Sequence, residues 1–238
     1  MFALIATSLA SLAIALAAAL LCRRQTLRAA AVRRDLLRDC AGLFDETPTR
    51  AVDRAGYGTL SGRYRGLPVR LSLLAEALVF RRLPQLWCRI ELRTAIGGTE
   101  RLGIVRRPAN VAFDAAASEL PVCHDVPAAW PADTLVRGTR RSGGLLAILA
   151  DRAGPLLADP RLKEILVTPR GLRVAMQVCE GQRGAYLLMR ASRFASDRVA
   201  PGQVLGALDG VVDLAHALLQ RNLRHERDLH HARLPSEA

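Results

Sequence analysis

An uncharged apolar run at the N-terminus constrains the fold of this 238-residue chain more than any other feature. The run extends from Phe2 to Cys22. Its polar side chains are Thr7, Ser8 and Ser11. At about 1.5 Å per residue, a helix of this length spans the roughly 30 Å hydrocarbon core of a bilayer. We therefore predict a single transmembrane helix over residues 1–22.

Basic residues follow this run, and none precedes it. Arg23, Arg24 and Arg28 come first, and positively charged flanks stay on the cytoplasmic side of a membrane. We expect the N-terminus outside and the rest of the chain inside, at the inner membrane of a bacterium. The alternative is a signal peptide cleaved near Ala17–Ala19, which the lack of a preceding Arg or Lys disfavours.

Small residues recur every four positions along one face of the predicted transmembrane helix. They are Ala3, Thr7, Ser11, Ala15 and Ala19. Such a stripe lets two membrane helices approach closely, so a partner could be a second copy or another protein. A segment this rich in alanine also produces such a stripe by chance, and we favour that simpler interpretation.

The net charge is +12, from 34 basic and 22 acidic residues. This balance suggests an anionic partner. We expect anionic lipid headgroups near Arg23, Arg24 and Arg28, because each arginine at a membrane surface contributes about 1 kcal/mol. Nucleic acid is not an expected partner, since only 4% of the residues are aromatic and they are scattered along the chain.

The five cysteines are Cys22, Cys40, Cys88, Cys123 and Cys179, with no C-x-x-C pair. An odd number at wide spacing argues against a disulfide framework. We expect reduced, mostly buried thiols in a reducing compartment.

Apolar residues at helical spacing continue beyond the N-terminal run. They are Ala29, Val32, Leu36, Cys40 and Leu43. This spacing predicts an amphipathic juxtamembrane helix over residues 23–47, which Pro48 ends.

From Tyr57 the hydrophobic period changes to two, which predicts β structure. One hairpin turns at Arg65-Gly66 and another at Pro169 to Gly171. We expect the first four strands to form an antiparallel meander. The predicted β segments are Tyr57 to Tyr64, Val69 to Leu74, Leu86 to Leu92, Leu102 to Arg106, Ile165 to Thr168, Leu172 to Val178 and Ala185 to Ala191.

Two helices complete the predicted body, and residues 108–138 between the β sections form an irregular connection with one short strand. Ser142 is placed to cap the first helix, and Pro201 suits the first turn of the second. The apolar face of the second helix consists of Val204, Leu208, Val211, Ala215, Leu218 and Asn222. The predicted class is α+β, with a cytoplasmic body at 48–222 and a polar tail at 223–238.

Two candidate metal sites fall on the last helix and its polar tail. The stretch from His225 to His230 is one residue too long for H-E-x-x-H, so we reject a zinc protease. Asp209, Asp213 and His216 share a helical face and could bridge a divalent cation. A solvated polar face explains them more simply, and we assign no metal ligand.

Other patterns that could indicate a catalytic or cofactor site lack the neighbouring residues or secondary structure that such a site requires. Gly56, Gly58 and Gly62 resemble a dinucleotide fingerprint, but the flanking strand and helix that it requires are not predicted. A P-loop needs a G-K-[ST] sequence, which the sole lysine, Lys163, does not supply. Cys123-His124-Asp125 cannot form a relay among themselves, because neighbours in an extended chain point to opposite faces. We assign no catalytic residue and no cofactor.

The motif Arg65-Gly66-Leu67-Pro68-Val69 recurs as Arg170-Gly171-Leu172-Arg173-Val174. An old duplication would explain the repeat, and so would two similar turns, which we favour.

The order of these features resembles uncharacterised bacterial single-pass membrane-anchored proteins. The features are the apolar helix, the basic helix after it, the G-x-L-x-G-x-x-x-G-L-P-V hairpin of Gly58 to Val69, and a late helix before the second Arg-Gly-Leu motif. We expect a membrane-tethered interaction or scaffold module without an identifiable catalytic activity. The alternatives are a peripheral regulator that binds anionic lipid or nucleic acid, and an enzyme whose site is assembled only in the fold.

Overall fold

The alternating segments pair into one antiparallel sheet. The computed structural model describes residues 2–76, 83–106, 116–189 and 192–233, with the side chains of 12–187 and 192–222 within those ranges. The strands are β1 Thr49–Val52, β2 Gly58–Tyr64, β3 Leu67–Ala75, β4 Gln85–Leu92, β5 Leu102–Arg106, β6 Val122–His124, β7 Thr134–Gly138, β8 Leu162–Thr168 and β9 Gly171–Glu180. Their order across the sheet is β1-β2-β3-β4-β9-β8-β5-β7-β6.

Helices lie before, within and after the strands. They are α1 Phe2–Asp35, α2 Gly143–Ala150, α3 Gly154–Ala158, α4 Arg183–Met189 and α5 Pro201–Arg233, with 3-10 helices at Arg38–Leu43 and Ala116–Glu119. The predicted α+β class is confirmed, and so are both hairpins and the last helix. The domain boundaries stay a prediction.

The meander prediction is wrong for β5. Strands β2, β3 and β4 follow one another, but β4 pairs next with β9, and β5 pairs with β8 and β7. The chain leaves β4 and crosses the turn between β8 and β9, where the Ile96 amide donates to the Pro169 carbonyl at 3.0 Å. Hydrophobic period sets which face a strand buries and does not set which strand lies beside it.

Three further segments differ from the prediction. The segment predicted as a strand over Ala185 to Ala191 is instead helical where it is described, because α4 covers Arg183–Met189, with Tyr186 buried against the body. The stretch 108–138 contains two short strands, β6 and β7, while 107–115 lies outside the described residues. The juxtamembrane helix is α-helical only to Asp35, because the Leu36 carbonyl accepts the Val199 amide at 2.8 Å and Cys40 bonds to Leu37 in 3-10 fashion.

One face of the sheet carries the main core. The predicted apolar stripe of α5 packs on β4 and β9, and its members from Val204 to Leu218 are buried. Over Pro201–Asn222 this helix has a mean hydropathy of 1.2, so by length and composition it would also suit a membrane span. Half of that stretch is buried inside the protein, which is typical of the core helix of a globular body.

The opposite face of the sheet is smaller and partly charged. Trp87, Val105, Ala117 and Ala175 form its apolar cluster. Beside them Glu164 is fully buried, and it accepts hydrogen bonds from the Ala117 amide at 3.2 Å and from Arg173 Nη2 at 2.9 Å. A buried carboxylate needs such partners, and here they fix the 3-10 helix of Ala116–Glu119 on the sheet.

The two Arg-Gly-Leu motifs open the second strand of their hairpins through different backbones. Arg65 and Gly66 both have positive φ, 48° and 77°, as a two-residue hairpin turn requires. Gly171 has φ 145°, and a Cβ there would lie 2.0 Å from the Leu92 carbonyl oxygen. A common turn geometry therefore does not account for the repeat.

Alanine substitutions at Gly66 and Gly171 distinguish the free-energy cost of a positive φ from that of a steric collision. Gly66→Ala should lose about 1 kcal/mol of unfolding free energy, the cost of a positive φ, because no atom lies within 4 Å of the added Cβ. Gly171→Ala should lose about 3 kcal/mol, because the added atom also collides with the backbone at the end of β4. Denaturant unfolding followed by circular dichroism measures both, and equal losses would contradict the assigned packing.

Candidate functional site

A cavity of about 530 Å³ lies between α1 and one edge of the body. One face of α1 supplies Gln25, Arg28, Ala29, Val32, Arg33 and Leu36. The body supplies Tyr57, Gln182, Ser192, Arg193, Phe194 and Ser196. We call this space the α1 cavity.

The α1 wall of the cavity is held by the end of that helix. Leu36 and Leu37 are buried in the core. Gly58 touches the helix so closely that a Cβ there would lie 2.1 Å from the Arg34 carbonyl oxygen. Arg198 donates to the Asp35 carbonyl at 3.0 Å. These contacts fix the direction in which α1 leaves the body.

The body wall is held by a short piece of β pairing. Gly181 forms an isolated antiparallel bridge with Phe194. The Gln182 amide donates to the Arg193 carbonyl at 2.7 Å, and Ser192 Oγ donates to the Glu76 carbonyl at 2.9 Å. The segment that carries Arg193 and Phe194 is therefore fastened at three points to the end of β9 and to the end of β3.

The charged groups that line the α1 cavity are all positive. Arg28, Arg33 and Arg193 line it, and none of its twelve lining residues is acidic. In the part of the chain that the structure describes, none of these three arginines makes an ion pair. Their charge is therefore available to an anion, which guanidinium groups bind through paired N–H donors.

Arg33 lies beside a buried phenol. Tyr57 is buried, and this burial raises the pKa of its hydroxyl, while the nearby Arg33 charge partly opposes the rise. The Tyr57 amide donates to Asp53 Oδ1 at 2.8 Å, which holds the turn before β2. The phenol stays neutral at physiological pH, so it offers a neutral polar group beside the arginine.

The α1 cavity also has an apolar part. Val32, Leu36 and Phe194 line it between the arginines. Cavities of 300–1,000 Å³ with apolar walls and a few polar groups are typical of sites for small organic ligands. The lining includes no Asp, Glu, His or Cys, so its described side chains bind charge and do not form an acid and base pair.

A second cavity of about 170 Å³ lies between the ends of β4, β8 and β9. It contains Arg93, Arg170 and Arg173. Arg93 already pairs with Glu91 at 3.5 Å, and Arg173 pairs with Glu164. Its positive charge is therefore largely neutralised within the protein, in contrast to that of the α1 cavity.

The face of α5 that was predicted to be a solvated polar face holds a hairpin through its two aspartates. Arg65 Nη1 lies 3.3 Å from Asp209 and 3.2 Å from Asp213, and Tyr64 Oη donates to Asp209 at 2.7 Å. Burial and, to a smaller extent, this hydrogen bond raise the pKa of the Tyr64 hydroxyl to about 12. These aspartates bind the tip of the β2–β3 hairpin.

Among the described residues, no group of three or more His, Cys, Asp or Glu side chains could hold a metal ion.

Cys123 and His124 lie on β6 and do not form a relay with Asp125. His124 Nε2 lies 2.8 Å from Ser142 Oγ, while that hydroxyl donates to the Thr139 carbonyl at 2.7 Å. The Ser142 hydroxyl already donates its proton to Thr139, so the imidazole of His124 donates a hydrogen bond to the Ser142 oxygen. The imidazole therefore does not activate this hydroxyl as a nucleophile. Ser142 precedes α2 as predicted, but its side chain makes no capping hydrogen bond.

The remaining candidate residues from the sequence either serve the packing of the fold or lie outside the residues that the structure describes. Gly56 and Gly58 flank Tyr57, and Gly62 lies within β2, where a Cβ would meet Phe44. No nucleotide fingerprint is formed by them. The side chains of His225 to His230, and those of Ala3, Thr7 and Ser11, lie outside the described residues.

Sequence reasoning found only part of the α1 cavity. The sequence places Arg28 near lipid headgroups. No sequence pattern indicates that Arg33, Tyr57, Arg193 and Phe194 belong to a binding site. The segment 192–196 has no hydrophobic period, so no sequence signal indicated that it lies opposite α1.

No family model matches the chain, and no curated protein sequence matches it. Among solved structures, it is similar to the crystal structure of the mycobacterial trehalose monomycolate transport factor A, TtfA, at 14% sequence identity. The match covers 78% of this chain and 96% of that chain, with a TM-score of 0.42. A likeness at this level says nothing about activity, ligands or partners.

The thiols should differ in reactivity according to their burial. Cys40 and Cys88 are buried, whereas Cys22 and Cys123 are exposed, contrary to the expectation of mostly buried thiols. Burial, with a smaller effect of Asp39, raises the pKa of Cys40 to about 11 from its ordinary 9.0, and burial also raises that of Cys88.

We expect iodoacetamide to modify Cys123 at least about a hundredfold faster than Cys40 or Cys88 in the folded chain, because a thiolate is required. Peptide mass spectrometry measures each rate, and the denatured chain is the control in which the rates converge. Equal rates in the folded chain would contradict the assigned burial.

Proposed function

We propose that this protein is a membrane-tethered interaction module, anchored by the first part of α1 and carrying its sheet on the cytoplasmic side. The observation that supports this most is the exposure of apolar side chains on α1. Leu12, Ile14 and Leu16 are each at least 60% exposed. Burying such side chains in lipid removes a large apolar area from water.

The position of the charges agrees with an anchor. The apolar stretch of α1 ends at Cys22, and Arg23 and Arg24 follow directly. The same helix then reaches the body, where Leu36 and Leu37 are buried. In this arrangement the body is held at a short and defined distance from the bilayer, with the α1 cavity in between.

A single charge placed in α1 tests the anchor, with a matched control on the same helix. Leu12 and Leu27 have similar exposures, 67% and 60%, but only Leu12 lies in the apolar stretch. Leu12→Asp should cost about 3 kcal/mol of insertion free energy, roughly a hundredfold in partition. Leu27→Asp should leave partition unchanged.

The measurement is the fraction of the full chain that alkaline carbonate releases from isolated membranes. We expect release of the Leu12→Asp variant and retention of both the wild type and Leu27→Asp. Release of the wild type, or identical behaviour of the two variants, would reject the anchor.

We further propose that the N-terminus lies outside and the C-terminus in the cytoplasm of a bacterial inner membrane, because the arginines follow the apolar stretch. A C-terminal alkaline phosphatase fusion should then be inactive, and a C-terminal green fluorescent protein fusion should be bright. Replacing Arg23 and Arg24 by Gln should weaken this bias. An active phosphatase fusion on the unaltered chain would overturn the orientation.

A further inference from the structure

We infer that the α1 cavity binds the headgroup and part of one acyl chain of an anionic phospholipid from the membrane in which α1 is anchored. This inference rests on the proposed anchor and names the ligand that the tethered module takes. Three features support it: the place of the cavity along α1, the sign of its charges, and the apolar surface between them.

The cavity begins at the depth of lipid headgroups. Its first lining residue, Gln25, lies three positions beyond Cys22, which is about 4.5 Å along a helix. The polar layer on each side of a bilayer is about 5–7 Å thick. The last α1 residue in the lining, Leu36, lies about 21 Å beyond Cys22. The cavity therefore opens at the headgroup layer, and most of it extends beyond that layer toward the body, so a lipid bound there lies partly outside the bilayer.

The charges select an anion. Arg28 and Arg33 face the cavity from α1, and Arg193 faces it from the opposite wall. No carboxylate lines the space, so a phosphodiester between the walls would be the first negative charge that these arginines meet. Guanidinium groups bind phosphate oxygens through two parallel N–H donors, which suits this ligand.

The apolar surface distinguishes a lipid from a free phosphate. A small inorganic anion would use the arginines and leave the partly exposed Val32 and Phe194 in contact with water. A cavity of about 530 Å³ is much larger than a phosphate group requires. An acyl chain covers the apolar part while its headgroup meets the arginines, so both parts of the lining are used.

Lipid retained by the full chain is the direct test. The chain is reconstituted in phosphatidylcholine mixed with phosphatidylglycerol, extracted in mild detergent, and examined by native mass spectrometry. We expect one retained phosphatidylglycerol per chain. The triple variant Arg28→Gln, Arg33→Gln, Arg193→Gln should retain far less, since each charged hydrogen bond lost weakens binding about tenfold or more.

Two further variants separate the cavity from surface charge. Arg50→Gln with Arg140→Gln and Arg152→Gln removes the same number of charges from exposed positions outside the lining, and it should retain lipid. Ala29→Trp keeps every charge and places an indole ring in the lining of the cavity, and it should retain much less lipid. Equal loss from the cavity triple variant and the surface triple variant would overturn the proposal, and so would full retention by Ala29→Trp. Thermal unfolding of each variant confirms that it is folded.

The source of the ligand is tested by competition. Inorganic phosphate and water-soluble glycerophosphate should not displace the retained phosphatidylglycerol, whereas added anionic phospholipid should. Displacement by phosphate alone would identify a free anion as the ligand and reject the lipid. If the chain resists carbonate extraction but retains no lipid in native mass spectrometry, only this inference is rejected. Release by carbonate with lipid still retained would reject only the anchor.

Discussion

The pairing of β4 with β9 is the interaction on which the rest of the structure depends. It joins the β1–β4 half of the sheet to the half formed by β9, β8, β5, β7 and β6. The helix α5 packs on these same two strands, so their side chains form the centre of the core. Ile90 and Val174, which lie opposite each other, are both fully buried. Without this pairing each half would expose one long strand edge and half of an apolar face.

The joint between α1 and the body depends on that core. The end of α1 and the 3-10 helix of Arg38–Leu43 lie against the end of the sheet, where Cys40 is buried and donates to the Val199 carbonyl at 3.4 Å. Val199 precedes α5, so the helix that covers the sheet also positions the helix proposed to enter the membrane. The α1 cavity is a consequence of this joint, because its two walls come from α1 and from the segment just before Val199.

Binding through such a cavity requires rigid walls and unpaired charge. The walls are rigid because backbone hydrogen bonds and the bridge between Gly181 and Phe194 fix them. Among the described residues, the cavity arginines make no ion pair, and carboxylates on the neighbouring elements serve other contacts: Asp53 holds the Tyr57 turn, and Asp35 and Asp39 face Arg198 at 4.0 and 3.8 Å. Elsewhere in the body most buried charge is neutralised internally, as Glu164 and Arg173 show. The contrast distinguishes the α1 cavity from the charged face of the sheet.

The sequence by itself determined the local elements, because each depends on residues close together in the chain. The period of two predicted β4 within one residue, the Arg65-Gly66 pair predicted its hairpin, and the spacing from Val204 to Leu218 predicted the buried face of α5. Only the tertiary structure decided that β9 inserts beside β4, that residues 183–189 are helical, and that Arg193 lies opposite Arg28. These outcomes follow from contacts between residues far apart in sequence, whose free energy no local pattern contains. The apolar N-terminal helix was evident from the sequence, but the cavity that α1 forms with the body exists only in the folded chain.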